Sequence, residues 1–508
     1  MRFERNAMKK DALPPRSEEI ELKLALPAGD PAELAKKLAR VPGLAGRKPS
    51  HRQLHNTYYD TPEQTLRHKR VALRLRRVGS DAKPDWLQTL KIGGSGNSAL
   101  SQRGEWETAV PGTGLALPAL GATPWADFDP DGHLFRQLAP CFETSFDRTS
   151  WTVRKRDGSV LEVSLDVGQI MAQGKSVPIL ELELELLAGQ PSVLFELARQ
   201  IARSISVLPE HRSKAERGYA LAEDSINLPL RARPPAFSTK MSPAEAAQCV
   251  LREMFCQFTA NLNTLRHSND PEVLHQARVG WRRFRSAFRL FKPVLDAAAA
   301  PSWEPLETLL TLVGELRDLD VARTETLPKF ADAYIAGNDR RQEKWQALMQ
   351  TLTQSSDVQR KAVCYALAVP AVGVTWLGIT QWLEELTQQK QSADAREAIN
   401  TPLRPWAKRR IARLHKQLTD AVHDADTLDA QHRARILAKR TRYGIEALKP
   451  LLRRRRTKRW YRHATELQTN IGMARDLAQA NVLVAKLDAD PGLAEFLRGV
   501  AVRQERSD

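Results

Sequence analysis

Every second residue from Glu181 to Glu185 is a glutamate, within the run Leu180-Glu-Leu-Glu-Leu-Glu-Leu186. Side chains alternate across a β-strand, so this segment reads as a strand with three carboxylates on one face and four leucines on the other. A period of 3.6 would scatter both sets around a helix. Three like charges on one face repel one another unless cations lie among them, and neighbouring segments supply the cations. Glu19-Ile-Glu21-Leu-Lys23-Leu, Leu73-Arg74-Leu-Arg76, Leu87-Gln-Thr89-Leu-Lys91 and Arg103-Gly-Glu105-Trp-Glu107 all alternate in the same way, as does Leu161-Glu162-Val-Ser164-Leu-Asp166-Val. An antiparallel sheet with a solvated polar face is one reading. The charges, however, come in blocks of one sign per strand, which fits better a closed barrel with a polar lumen. In such a lumen carboxylates hold hard divalent metals, while Arg and Lys hold phosphate oxygens. Helices over Pro31–Arg40 and Pro191–Ser204 then cover the aliphatic outer face.

The periodicity changes beyond residues 226–242, where INLPLRARPPAFSTKMS has the composition of a linker. Downstream, apolar residues recur at three and four, the mark of an all-helical domain over 243–500. The expected organisation is a disordered extension at 1–16, a β-rich domain at 17–225, the linker, and this helical domain. The helical part is internally repeated. His275-Gln-Ala-Arg278 with Arg282 and Arg285 matches His432-Arg-Ala-Arg435 with Lys439 and Arg442, and Gly314-Glu-Leu-Arg317-Asp318 matches Gly472-Met-Ala-Arg475-Asp476 in the same order. Two similar helical bundles are therefore expected.

The chain carries 77 Lys and Arg against 60 Asp and Glu, a formal charge of +17, so a polyanionic partner is expected. His275, Arg278, Arg282, Arg285 and Arg289 step by three and four, forming a cationic stripe roughly 20 Å long on one helix face. A linear polyanion is its natural ligand. Nucleic acid is disfavoured, since no stacking platform, helix-turn-helix or zinc-finger pattern accompanies the stripe. The four cysteines form no CxxC pair and no Cys/His cluster, which argues against a thiolate zinc site or a disulfide scaffold. No P-loop, GxGxxG or Ser/His/Asp arrangement is present. The N-terminal segment lacks an apolar core for a signal peptide. The uncharged stretch Ala362–Leu383 contains Pro370, Gly373 and Gly378 and reads as a buried bundle helix rather than a membrane span. A soluble, cytoplasmic chain is expected, and its oligomeric state is left open.

The N-terminal part resembles the CYTH domains, the triphosphate tunnel metalloenzymes. The resemblance runs from Glu19-x-Glu21-x-Lys23 through Tyr58-Tyr-Asp60-Thr61-Pro, Leu73–Arg76, Lys91, Arg148 and the Glu181–Glu185 strand to Ser213-Lys214-Ala-Glu216-Arg217-Gly-Tyr219. The repeated His-x-x-Arg and Gly…Arg-Asp motifs resemble the CHAD domain. The implied fold is a two-domain α+β protein: an N-terminal antiparallel eight-stranded β-tunnel with flanking helices, and a C-terminal all-α duplicated helical bundle. The implied activity is hydrolysis of inorganic triphosphate with Mg2+ or Mn2+. By the same resemblance Glu19, Glu21, Glu181 and Glu183 are candidate metal ligands, joined by Asp166 from an acidic neighbouring strand, and Arg74, Arg76, Lys91, Arg148 and Lys214 are candidate phosphate clamps. Glu19, Glu21 and Lys23 are candidate catalytic residues. The helical domain is implied to bind polyphosphate through His275, Arg278, Arg282, Arg285, His432, Arg435, Lys439 and Arg442. Glu185 reads equally as a rim group, and Arg103, Glu105 and Glu107 equally as lumen residues or as a hairpin ion pair. A non-catalytic polyphosphate-binding or granule-associated protein is the alternative. Adenylyl cyclase and thiamine triphosphatase activities are less favoured, because nothing in the sequence recognises adenine or thiazolium.

Overall fold

A computed structural model describes residues 18–27, 29–79, 84–93, 98–238, 240–295, 300–387, 402–424, 427–487 and 490–505. The expected extension at 1–16 and part of the glycine loop at 93–96 lie outside the described residues. Two compact units divide the chain, Met1–Ile226 and Asn227–Asp508.

In the first unit the alternating segments form eight strands: β1 (Glu18–Ala25), β2 (Ser50–Asp60), β3 (Val71–Val78), β4 (Asp85–Ile92), β5 (Leu100–Val110), β6 (Ala139–Arg154), β7 (Val160–Ala172) and β8 (Lys175–Ala188). Their order is β5-β4-β3-β2-β6-β7-β8-β1, and β1 pairs back onto β5 to close the barrel. Closure registers Glu19 opposite Arg103 and Glu21 opposite Ser101. Every pairing is antiparallel, and closure leaves no barrel strand with a bare edge.

Alternation then sorts the side chains. Leu22, Leu24, Leu161, Val163, Leu182 and Leu184 are fully buried on the outer face. Against β1 and β8 packs α2 (Ser192–Ala202), which buries Val193, Leu194, Leu197 and Ile201, while α1 (Pro31–Leu38) buries Leu34 and Leu38. Both helices were legible from their flanking prolines and apolar spacing. The inner face is polar over most of its length and apolar at one end, where Leu54, Phe142, Phe146, Ile170 and Ile179 form a cluster. Into that end fits α3 (Lys214–Ala222), whose Tyr219 and Leu221 join the cluster. Gly218 is needed there: a Cβ on it would lie 2.2 Å from the Phe142 ring. A capping box between Ser213 and Glu216 sets the first turn of α3 and places Lys214 at the first helical position.

Past the irregular segment 227–242, the regular structure described in the second unit is all helix. A hairpin of α4 (Pro243–Leu265) and α5 (Pro271–Phe291) is followed by a Lys-Pro 3-10 turn (Lys292–Val294) and α6 (Glu307–Val321). After α7 (Asp339–Leu367) and α8 (Pro370–Glu385), the pattern returns. α9 (Leu403–His423) and α10 (Leu428–Leu448) form a second hairpin, followed by the Lys-Pro turn Lys449–Leu451 and α11 (Arg454–Lys486), with α12 (Pro491–Glu505) last. The sequence repeat thus corresponds to two hairpin-turn-helix copies. Arg283 of α5 pairs with Glu446 of α10 at 2.8 Å, so the copies are in direct contact. Phe255, Phe258, Phe284 and Trp376 form the aromatic core beside them, each no more than 2% exposed.

The stretch Ala362–Leu383 is not one helix: α7 ends at Leu367 and α8 begins at Pro370, with the pair bent by 64°. Pro370 cannot continue the hydrogen-bond ladder of α7, which is the physical reason for the break. No single described helix is long and apolar enough to cross a membrane, although the bent pair has the length and composition together. Val372, Trp376, Leu377, Ile379 and Leu383 are buried within the unit.

Candidate active site

The candidate site is the polar lumen, where register decides which charges meet. β7 pairs with β8 so that Asp166 faces Glu181 and Ser164 faces Glu183. One carboxylate oxygen from each of Asp166, Glu181 and Glu183 lies within 4.8 Å of the others. Asp166 and Glu181 are 0% and 2% exposed. Three carboxylates this close and this dry require positive charge among them. Lys214 supplies it, with Nζ 2.6 Å from Asp166, 2.5 Å from Glu181 and 2.9 Å from Glu183. Arg148 of β6 donates Nε and Nη2 to the two oxygens of Asp166 at 2.7 and 2.6 Å, and Nη2 also reaches Glu183 at 2.5 Å. Arg217 pairs with Glu181 at 2.8 Å. Burial alone would raise the Glu183 carboxyl; Lys214, Arg148 and Lys23 outweigh it and hold the group well below the usual carboxylate range. Burial likewise opposes the charge of Lys214, but its three carboxylates raise it above the ordinary lysine value.

A second group forms where β1 closes on β5. Glu19 accepts from Lys91 Nζ at 3.0 Å and from Arg103 Nε at 2.7 Å. Arg103 also donates to Glu21, and Lys23 lies 2.6 Å from Glu21. Glu105 bridges Lys91 at 3.0 Å and Arg74 at 3.5 Å. Burial favours neutral Glu105, yet Lys91 and Arg74 bring its carboxyl down to about 2. Glu19 is lowered in the same sense, burial being outweighed by Lys91 and Arg103. Arg76 donates to Asn56 at 2.8 Å and meets Glu107 at 3.4 Å. Its guanidinium falls to about 10 through burial and the adjacent Arg74 charge.

All eleven tunnel candidates therefore line one lumen, in two groups. Asp166, Glu181 and Glu183 meet in one place with Arg148 and Lys214; Glu19, Glu21 and Lys23 meet Lys91, Arg103 and Glu105 elsewhere along the wall. Of the five candidate metal ligands, only the first three converge. Their donor set is oxygen-only and matches a hard divalent cation, and the ammonium of Lys214 occupies the position where their charges need one. Glu185 lies outside the trio. Burial, then repulsion from Glu19, Glu105 and Glu162, raises its carboxyl to about 8. Arg103 stands in the lumen as a bidentate partner of Glu19 and Glu21, a role that Arg103-x-Glu105-x-Glu107 alternation allowed but could not select. Arg217, Asn56, Thr89 and Ser150 also face the charged groups. Thr89 and Arg217 belonged to segments already singled out in the sequence, whereas Asn56 and Ser150, as isolated polar residues, carried no sequence signal.

In the helical unit, His275, Arg278, Arg282 and Arg285 lie along α5, and Arg435, Lys439 and Arg442 along α10. The side chain of His432 lies outside the described residues, as do those of Gly472, Arg475 and Asp476. Arg285 is exposed and the other described members are half-buried. A Cβ on Gly314 of α6 would lie 3.0 Å from Arg278 Nη1, so the glycine of the repeated motif makes room for that guanidinium. Burial lowers the imidazole of His275, helped by the charge of Arg317. Arg317 itself pairs with Glu325 at 2.6 Å. Burial and the charges of Arg440 and Arg285 lower Arg289, which puts cations of both copies near one another. Arg440 did not belong to the repeated stripe in the sequence.

Comparison with known proteins agrees with this division. The CYTH domain model matches residues 17–219 and the CHAD domain model residues 249–485. An inorganic triphosphatase of Haemophilus influenzae is 32% identical over 208 residues, 40% of this chain and 55% of that protein. This chain thus spans about half the length of that relative. The CHAD domain of the plant Ricinus communis is 27% identical over 55% of this chain and 92% of its own, with a TM-score of 0.45. A Hippeastrum protein whose structure revealed a dominant triphosphatase activity is 18% identical over 40% of this chain and 95% of its own, with a TM-score of 0.28.

Proposed function

Because this chain joins a CYTH domain to a CHAD domain, we propose that its tunnel hydrolyses inorganic triphosphate with a divalent cation and that its helical unit binds polyphosphate. The observation that carries the reading is the convergence of Asp166, Glu181 and Glu183 within 4.8 Å in a lumen that also holds six or more cationic side chains. Phosphoryl transfer to water calls for positioning and charge neutralisation rather than a protein nucleophile. Asp166, Glu181 and Glu183 would hold Mg2+ or Mn2+, with Glu19 and Glu21 supporting from the β1 wall. A bound divalent cation neutralises phosphate oxygens and lowers the pKa of coordinated water.

The chain's own residues do the rest. Arg74, Arg76, Lys91, Arg148 and Lys214 are arrayed around the lumen and take phosphate oxygens in charge-assisted hydrogen bonds. Each now leans on a carboxylate or a polar neighbour, so substrate binding exchanges those partners for phosphate oxygens. Glu19 and Glu105 keep Lys91 and Arg103 aligned between turnovers. A raised carboxyl at Glu185 offers a proton near the same wall. In the overall reaction water adds to a terminal phosphorus, the phosphoanhydride bond breaks, and orthophosphate and pyrophosphate leave.

For the helical unit, the support is that burial and then the nearby charges of Arg440 of α10 and Arg285 lower the Arg289 guanidinium of α5, a concentration of positive charge that a polyanion would offset. The test is orthophosphate release from tripolyphosphate, ATP, thiamine triphosphate and long-chain polyphosphate, with and without Mg2+. Metal-dependent turnover of tripolyphosphate above the others is the expected result. No turnover of any of them leaves a protein that only grips polyphosphate.

A further inference from the structure

The lumen-facing row of β6 does not stop at Arg148. Ser150, Thr152 and Arg154 continue it at every second position, opposite Ser164, Glu162 and Val160 of β7. At this end the row runs into an open cavity of about 410 Å³, lined by Arg47, Lys48, Ser50, Ser150, Thr152 and Arg154. That volume lies within the roughly 300–1,000 Å³ of small-ligand sites. Ser150 is the junction with the tunnel: it is 8% exposed, and its hydroxyl meets Ser164 at 2.8 Å and Glu162 at 3.4 Å. Arg47 is steadied by its Nε donating to the Gly43 carbonyl at 3.0 Å. Lys48 and Arg154 are exposed, and neither has a carboxylate partner among the described residues. The opposite end of the lumen is filled by α3 and its apolar cluster, so this is the end through which an anion reaches the candidate metal ligands.

Three cations and three hydroxyls with no acid in the lining form a donor set for phosphate oxygens. Glu162 of β7 stands opposite Thr152, with Glu185 of β8 opposite Glu162 in turn, so both flank the cavity from the neighbouring strands without being part of its lining. We propose that this cavity is a vestibule for the outer phosphates of linear polyphosphates longer than triphosphate, whose terminal units occupy the lumen. Such a chain carries charge on every unit, so the units that protrude from the lumen need donors of their own. Triphosphate is held by the lumen groups and does not extend to Arg154. No aromatic ring lines the cavity, which favours a bare polyanion over a nucleoside. The inference rests on the triphosphatase reading of the tunnel.

The full chain carrying Lys48→Gln and Arg154→Gln together is compared with the wild type in orthophosphate release from tripolyphosphate, longer linear polyphosphates and ATP. The helical unit is identical in both proteins, so its own binding cancels. Loss of two charge-assisted contacts should raise KM for the longer chains about tenfold or more while that for tripolyphosphate moves less than about twofold. An equal rise for both, no rise for the longer chains, or a rise confined to ATP overturns the vestibule and leaves the tunnel reading standing. A wild type that cleaves tripolyphosphate but no longer chain does the same. No wild-type turnover of tripolyphosphate overturns the tunnel reading and the vestibule with it.

Discussion

Asp166 has no exposure to solvent and takes hydrogen bonds from Arg148 and Lys214. Removing its charge leaves buried Lys214 and half-buried Arg148 with one carboxylate fewer each, so Asp166→Asn should cost stability as well as activity, about 3 kcal/mol for a broken buried pair. Urea denaturation of the variant checks this; an unchanged midpoint would show that the cations find other partners. Glu181→Gln keeps the volume and leaves Lys214 two carboxylates. It should lower turnover by about 100-fold or more through lost metal affinity, with the fold intact. Glu185 is shifted in the sense opposite to Glu19, Glu105 and Glu183. Its carboxyl at about 8 in the folded tunnel compares with an ordinary value of 4.5. The folded state therefore holds a proton that the unfolded chain releases. The stability it brings is fully present below the ordinary value and is lost as pH rises through about 8. In metal-free buffer the tunnel's urea midpoint should fall between about pH 5 and 8, by at most about 1.4 kcal/mol per pH unit, and Glu185→Gln should flatten that slope. An equal slope in the variant assigns the titration elsewhere.

Among the elements, the strands were readable because Glu181, Glu183 and Glu185 alternate with leucines, and side-chain direction follows directly from that alternation. Which carboxylates meet was not readable from that pattern, since the placing of Asp166 opposite Glu181 depends on the β7–β8 register. Arg103 shows the same limit: its place beside Glu19 comes from β1 closing on β5 across some eighty intervening residues. In the helical unit, the repeat around His275 and His432 was visible, and it corresponds to two hairpins of like design. The role of Gly280 was not. A Cβ there would lie 2.6 Å from the backbone nitrogen of Phe258, so α4 and α5 touch through this glycine. Backbone cannot yield as a flexible side chain does, and Gly280→Ala should destabilise the helical unit by about 2–3 kcal/mol. Its thermal transition should drop while tripolyphosphate cleavage at lower temperature persists; an unchanged transition would mean that the hairpin shifts without cost.

For the whole molecule, the proposed chemistry falls to one compact unit and the proposed polyanion binding to the other, so the two should separate on truncation. Residues 1–230 contain every tunnel residue named above and should cleave tripolyphosphate alone. Residues 240–508 should bind long-chain polyphosphate, more weakly as salt rises because ionic contacts release counterions. Arg278→Gln, Arg282→Gln and Arg285→Gln together should weaken that binding by several kcal/mol, at about 1.5–3 kcal/mol per charge-assisted contact. Equal affinity for duplex DNA at matched charge would contradict a site selective for polyphosphate. The central claim is that the lumen joins a metal-binding carboxylate trio to phosphate-binding cations. Orthophosphate release from tripolyphosphate, titrated with Mg2+ in the wild type and in Glu181→Gln, tests it most directly. Turnover should require the metal, and the variant should either need far more metal or stay inactive at saturation. Metal-independent turnover, or a variant with the wild-type metal dependence, would contradict it.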